Sequence, residues 1–147
     1  MEEKENILIL CTGNSARSQM AEAFLKHYAG HRFEVHSAGY DPTEIHPLTR
    51  QVMAEKGFDL VGQHAKGVET YLGRMAFRYL IIVCDRAERN CPKAFPGVVQ
   101  RLFWPFEDPV AATGSPEDKL AVFRRVRDQI EARVRQWLKE EVGLELP

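Results

Sequence analysis

Apolar residues in this chain come in short solid runs separated by amphipathic stretches. Residues 6–10, Asn-Ile-Leu-Ile-Leu, form one such run, as expected of a strand covered on both faces, and it ends at Cys11. From Arg17 to about Tyr28 the spacing turns helical, with Met20, Ala23, Phe24 and His27 on one face and Gly30 as the stop. Residues 33–37 predict a second strand, closed by Ala38-Gly39. Residues 47–56 predict a second helix that ends at Gly57, and residues 68–72 a short one. Residues 79–83 form the most apolar strand and end at Cys84; residues 98–103 are the fourth. The last helix takes Ser115 as N-cap and Pro116 as its first residue, and runs to about Glu141. Its Leu120, Phe123, Val126, Ile130, Val134, Trp137 and Leu138 turn inward, and its charges turn outward. Trp104 also reads as a packing residue.

Strand and helix alternating in this way predict an α/β fold, a parallel sheet with helices on both faces. Such sheets bind ligands beyond the carboxyl ends of their strands. Cys11 follows the first strand, Cys84 the third, and Asp108 lies just past the fourth. Side chains from distant segments therefore converge on one rim.

Composition narrows the function without naming it. The 147 residues suit a single domain, 1–147, and 44% hydrophobic with 28% charged is ordinary for a globular protein. A net charge of −1 gives no footprint for nucleic acid. No apolar run approaches the roughly 18 residues of a membrane span, and the charged N-terminus is unlike a secretory signal. The expected compartment is the cytoplasm. Three cysteines are too few for a secreted disulfide scaffold, so they are packing residues or chemistry.

The segment Cys11-Thr12-Gly13-Asn14-Ser15-Ala16-Arg17-Ser18 lies between a strand and a helix. A helix start offers unpaired amides and positive potential; Gly13 and Asn14 tolerate the backbone angles that curl those amides around one anion. Arg17 adds a planar fork for two oxygens. Cys11 at the bottom of this ring is expected to ionise readily and to face the central atom of a tetrahedral oxyanion. A departing oxygen then needs a proton, which Asp108 can give; Asp-Pro alone reads as a turn, and the loop is what turns it into an acid candidate. The five histidines are scattered, with His64 near the loop at most.

The Cys11–Ser18 loop, Ser37-Ala38-Gly39 and Asp108-Pro109 together resemble the low-molecular-weight protein tyrosine phosphatase superfamily over essentially the whole chain. The resemblance implies a three-layer fold with a four-stranded parallel sheet of order 2-1-3-4. It implies Cys11 as nucleophile, Arg17 as oxyanion clamp and Asp108 as general acid. Asn14 and Ser37 would brace the loop.

Cys84 and Cys91 exceed what a phosphatase needs. Their spacing, with Val83-Cys84-Asp85 and Cys91-Pro92, looks like the thioredoxin-coupled arsenate reductases of that superfamily. This resemblance implies a relay without metal or organic cofactor. Cys11 attacks arsenate, Cys84 attacks Cys11 and releases arsenite, and Cys91 attacks Cys84. Thioredoxin then reduces the Cys84–Cys91 disulfide. Many members carry a further Cys where this chain has Ala16. Some bind potassium through a Thr and an Asp that the stretch His64-Ala65-Lys66-Gly67 lacks, so no such site is expected. The segment between the cysteines is helix-compatible but shows no apolar stripe, and should unwind for a Cys84–Cys91 bond. The competing readings are a phosphatase acting on phosphotyrosine or small esters, a flavin-binding module and a non-catalytic oxyanion sensor. Cys11 with Arg17 fits the flavin module poorly, and a sensor has no use for Asp108, Cys84 and Cys91 together.

Overall fold

The computed structural model describes residues 4–91 and 95–147. Its strands are β1 (Glu5–Cys11), β2 (Phe33–Gly39), β3 (Phe77–Ile82) and β4 (Val98–Phe103), and its helices α1 (Arg17–Ala29), α2 (Pro47–Ala54), α3 (Asp85–Asn90) and α4 (Pro116–Trp137). The strands form one sheet of order β2-β1-β3-β4, every pair parallel. β1 is central: Ile7 lies opposite Val35 on one side and Tyr79 on the other. Residues 7–10 are wholly buried, which is why the run shows no alternation.

Helices cover both faces. α4 packs on α1 and α2 and closes one face with an aromatic cluster of Phe33, Tyr79, Trp104 and Trp137. His36, three positions after Phe33, points to the other face, where it meets Tyr71 and Phe77. α4 starts with a capping box in which Ser115 and Asp118 satisfy each other's backbone amides.

Several boundaries differ from the sequence reading. α2 stops at Ala54 and tightens through residues 55–57, with Gly57 at φ +84°. The segment at Val68–Thr70 is a single 3-10 turn. α4 gives way to a π turn at Leu138–Val142, closed by Gly143 in the left-handed region and a Leu144 amide donating to the Leu138 carbonyl. His27 is not buried with the α1 face. It lies exposed and touches the ring of Phe58 edge-on. Among the described residues no helix is long and apolar enough to cross a membrane.

Candidate active site

The turn from β1 into α1 is shaped by what its carbonyls bond. Those of Cys11, Thr12, Gly13 and Ser15 accept the amides of Tyr40, Asp41, Thr43 and His46, at 2.9–3.4 Å. With the carbonyls drawn outward, the planar peptide units turn their N–H edges toward the loop's centre. The chain after β2 passes so close that a Cβ on Gly39 would lie 2.4 Å from the Thr12 carbonyl oxygen, so only glycine fits there. The loop encloses a cavity of about 210 Å³ whose lining includes residues 11–13 and 15–17, with Asp108 and Val110 also on its wall.

Asn14 does not line that cavity. It is fully buried with φ +50°, and its side-chain amide donates to Ser18 Oγ at 2.8 Å and Ser37 Oγ at 2.9 Å. Its Oδ1 accepts the Lys66 amide and its carbonyl accepts Gln19 Nε2. Ser37 in turn donates to Glu22 Oε1 at 2.5 Å, and Lys26 donates to Glu22 Oε2 at 2.5 Å. This network ties the loop to α1, β2 and the segment before the 3-10 turn. Ser18 is likewise a brace outside the cavity lining, whereas Thr12, Gly13, Ser15 and Ala16 are on it. His64 takes part through its carbonyl, which accepts from Gln19 and Lys66.

Arg17 is buried at the cavity wall. Nη1 donates to the Phe106 carbonyl at 3.1 Å and Nη2 lies 3.6 Å from Asp108 Oδ2, while Nε is buried with no hydrogen-bond partner among the described residues. A buried cationic donor left open in this way suits an incoming oxyanion. Asp108 is exposed at the mouth, and its Oδ1 accepts the Val110 amide, capping a 3-10 turn at Pro109–Ala111.

The three thiols are free and buried. Because Val83 bonds to Leu10 across the sheet, Cys84 emerges beside Cys11, close enough for the two thiols to interact. Here the structure corrects the expectation that Cys11 is the readily ionised thiol. The hydrogen bond with Cys84 and burial push the Cys11 pKa well up, outweighing Arg17 and the Thr12 amide. Cys84 is the acidic partner. Its pKa falls to about 5 because Cys11 donates to it, with Thr12 Oγ1 and the Ala87 amide, each 3.4 Å away, adding to the pull. The pair thus shares one negative charge. Cys91 lies at the other end of α3, where its amide bonds to the Ala87 carbonyl; it is not in the cavity.

The family model for low molecular weight phosphotyrosine protein phosphatase matches residues 6–145. The chain belongs to the low molecular weight phosphotyrosine protein phosphatase family. Within that family it is 40% identical to an arsenate reductase of Shouchella clausii, over 91% of this chain and 95% of the other. A solved arsenate reductase in the phosphate binding state superposes with TM-score 0.75 at 29% identity, covering 92% of this chain and 98% of that one. The thioredoxin-dependent arsenate reductase of Corynebacterium glutamicum superposes with TM-score 0.71 at 30% identity, over 94% of this chain and 62% of that one.

Against that family background, the sequence reading missed Glu22, Gln19, Lys66 and Tyr40. Glu22 and Gln19 were detectable in principle as polar residues on the otherwise apolar face of α1; Lys66 and Tyr40 carry no local signal. The potassium that some relatives bind does not fit the residues present. Lys66 Nζ lies 3.9 Å from Glu22 Oε1, so a second cation beside that carboxylate would meet a like charge.

Proposed function

We propose that this protein reduces arsenate to arsenite with Cys11 as nucleophile and Cys84 and Cys91 as a disulfide relay, recycled by thioredoxin. The observation that carries the reading is the sheet pairing that places Cys84 beside Cys11 on the rim of an oxyanion loop. A phosphatase needs a nucleophile, a clamp and an acid, and has no use for a second thiolate against the first. Similarity to arsenate reductases across more than nine-tenths of the chain supports the same conclusion.

In the proposed cycle the loop amides and the open Arg17 Nε hold the oxyanion with its central atom facing Cys11. Cys11 loses its proton to water and attacks as the thiolate, which Arg17 and the Thr12 amide favour. A sulfur–arsenic bond forms, and an oxygen leaves with a proton from Asp108. Cys84, as the thiolate, then attacks the Cys11 sulfur. The sulfur–arsenic bond breaks with its electron pair moving to arsenic, which leaves as arsenite, and the two thiols have been oxidised to a Cys11–Cys84 disulfide. Cys91 attacks Cys84, the electron pair returns to Cys11, and a thioredoxin dithiol reduces the Cys84–Cys91 bond. No organic cofactor or metal enters. One domain, residues 1–147, carries the whole cycle, and a thiol-keeping cytoplasm suits it.

Three substitutions test this. Cys11→Ser should abolish arsenate reduction and p-nitrophenyl phosphate hydrolysis alike, because the hydroxyl stays protonated. Cys84→Ser and Cys91→Ser should each stop multiple-turnover arsenate reduction with thioredoxin yet retain hydrolysis of the phosphate ester. Thioredoxin-coupled turnover by both relay variants would overturn the reading and favour a phosphatase.

A further inference from the structure

One buried group plays no part in this cycle: the hydroxyl of Tyr40. The residue follows Gly39 at the carboxyl end of β2 and is tied to the catalytic loop, its amide donating to the Cys11 carbonyl at 3.4 Å and that of Asp41 to the Thr12 carbonyl at 2.9 Å. Its Oη is shielded from solvent yet makes no hydrogen bond of regular geometry among the described residues. A buried donor without an acceptor carries an uncompensated desolvation penalty and calls for an explanation.

The group beside that hydroxyl is the Cys91 thiol, itself only 6% exposed. Two charged side chains complete the surroundings. Arg101, from β4, donates to the Glu88 carbonyl at 3.2 Å and pairs with Glu88 Oε1 at 3.1 Å on α3, and both lie near the sulfur. A neutral thiol is a weak acceptor, so the hydroxyl goes unanswered while Cys91 is protonated; a thiolate is a strong one.

We propose that Tyr40 is a positioning residue for the resolving step, its hydroxyl being the donor that holds Cys91 as the thiolate that attacks Cys84. The inference rests on the relay reading given above. In the step, Cys91 loses its proton, its sulfur bonds to Cys84 Sγ, the Cys11–Cys84 bond breaks, and the electron pair and a proton end on Cys11. Sulfur is neither gained nor lost and the net oxidation state is unchanged. Tyr40 gives up no proton: burial and the neighbouring sulfur keep its own hydroxyl protonated far above neutral pH. Burial pushes the Cys91 thiol up, and Glu88 adds to this; Tyr40 and Arg101 pull it back. Removing the hydroxyl therefore shifts ionisation of Cys91 to higher pH.

The test is Tyr40→Phe in single turnover, with arsenate and no thioredoxin, quenched in acid and mapped for disulfides across a pH series. The expected variant hydrolyses p-nitrophenyl phosphate and forms the Cys11–Cys84 bond as the wild type does. It passes to Cys84–Cys91 roughly tenfold more slowly at neutral pH, as for loss of a hydrogen bond to a charged group. The deficit disappears in alkali. An unchanged rate of passage overturns the role, and so does a slowing by the same factor at every pH, which a packing defect would give. Failure of the wild type to form Cys84–Cys91 at all would overturn the relay and this role with it, a result distinct from a normal wild type with an indifferent Tyr40→Phe.

Discussion

One proton shared between Cys11 and Cys84 sets the acid limit of the chemistry. Cys84 ionises with a pKa of about 5, below its ordinary value, so its thiolate is present above that pH and is lost as the pH falls through it. Titration by thiolate ultraviolet absorbance should show one group with a midpoint near pH 5, and Cys84→Ser should remove it. Arsenate reduction should fall away over the same interval. A wild-type midpoint above neutrality would contradict the charge distribution. Cys11, Arg17 and the curl at Asn14 were legible in the sequence because local spacing along one turn sets them. The ionisation order of the thiols was not, because Cys84 comes from another strand and its nearness depends on sheet register. The same holds for Tyr40 and Cys91, which meet only through the fold.

At the scale of the element, α3 is held differently from what its sequence suggests. It lacks an apolar stripe, but Ala87 is fully buried beneath it, Cys84 caps its start by accepting the Ala87 amide, and Cys91 closes its end. Seven helical steps separate the two cysteines by roughly 10 Å between Cα atoms, beyond the ~7 Å a disulfide tolerates. Formation of a Cys84–Cys91 bond should therefore remove the cap and unwind the turn. Amide hydrogen exchange on reduced and oxidised protein checks this: residues 85–90 should lose protection on oxidation while β3 keeps its own. Equal protection in both states would mean that the segment closes without unwinding. The helix itself was legible as a compatible stretch; its anchoring was not, since one small side chain and a sulfur cap leave no periodic trace.

Across the whole molecule, the alternation of runs was enough to predict a parallel sheet, because strands buried on both faces are uniformly apolar. How the helices lock to one another was not visible, and Arg127 shows why. It reads as one charge among many on α4, yet it is buried, with Nη1 donating to the Val52 carbonyl and Glu55 Oε1 of α2 and its C-cap. Arg127→Ala should lower unfolding free energy by about 2 kcal/mol in urea denaturation, through the Val52 carbonyl left unpaired and the ion pair with Glu55 lost, while phosphate binding in the loop stays as it is. A change in phosphate affinity as large as the change in stability would show that the α2–α4 clamp also shapes the loop.

Because the Cys84 sulfur both caps α3 and reacts, the stability of the helix and the redox potential of the protein share a thermodynamic cycle. Whatever free energy α3 gains from its cap is surrendered when that sulfur is tied into a disulfide with Cys91. Each ~1.4 kcal/mol so surrendered raises the two-electron potential of the bond by about 30 mV. A firmer helix makes the disulfide harder to form and easier for a dithiol to reopen, and a looser one does the reverse. Substitutions on the exposed face of α3 can thus tune how strongly the protein holds its oxidised state.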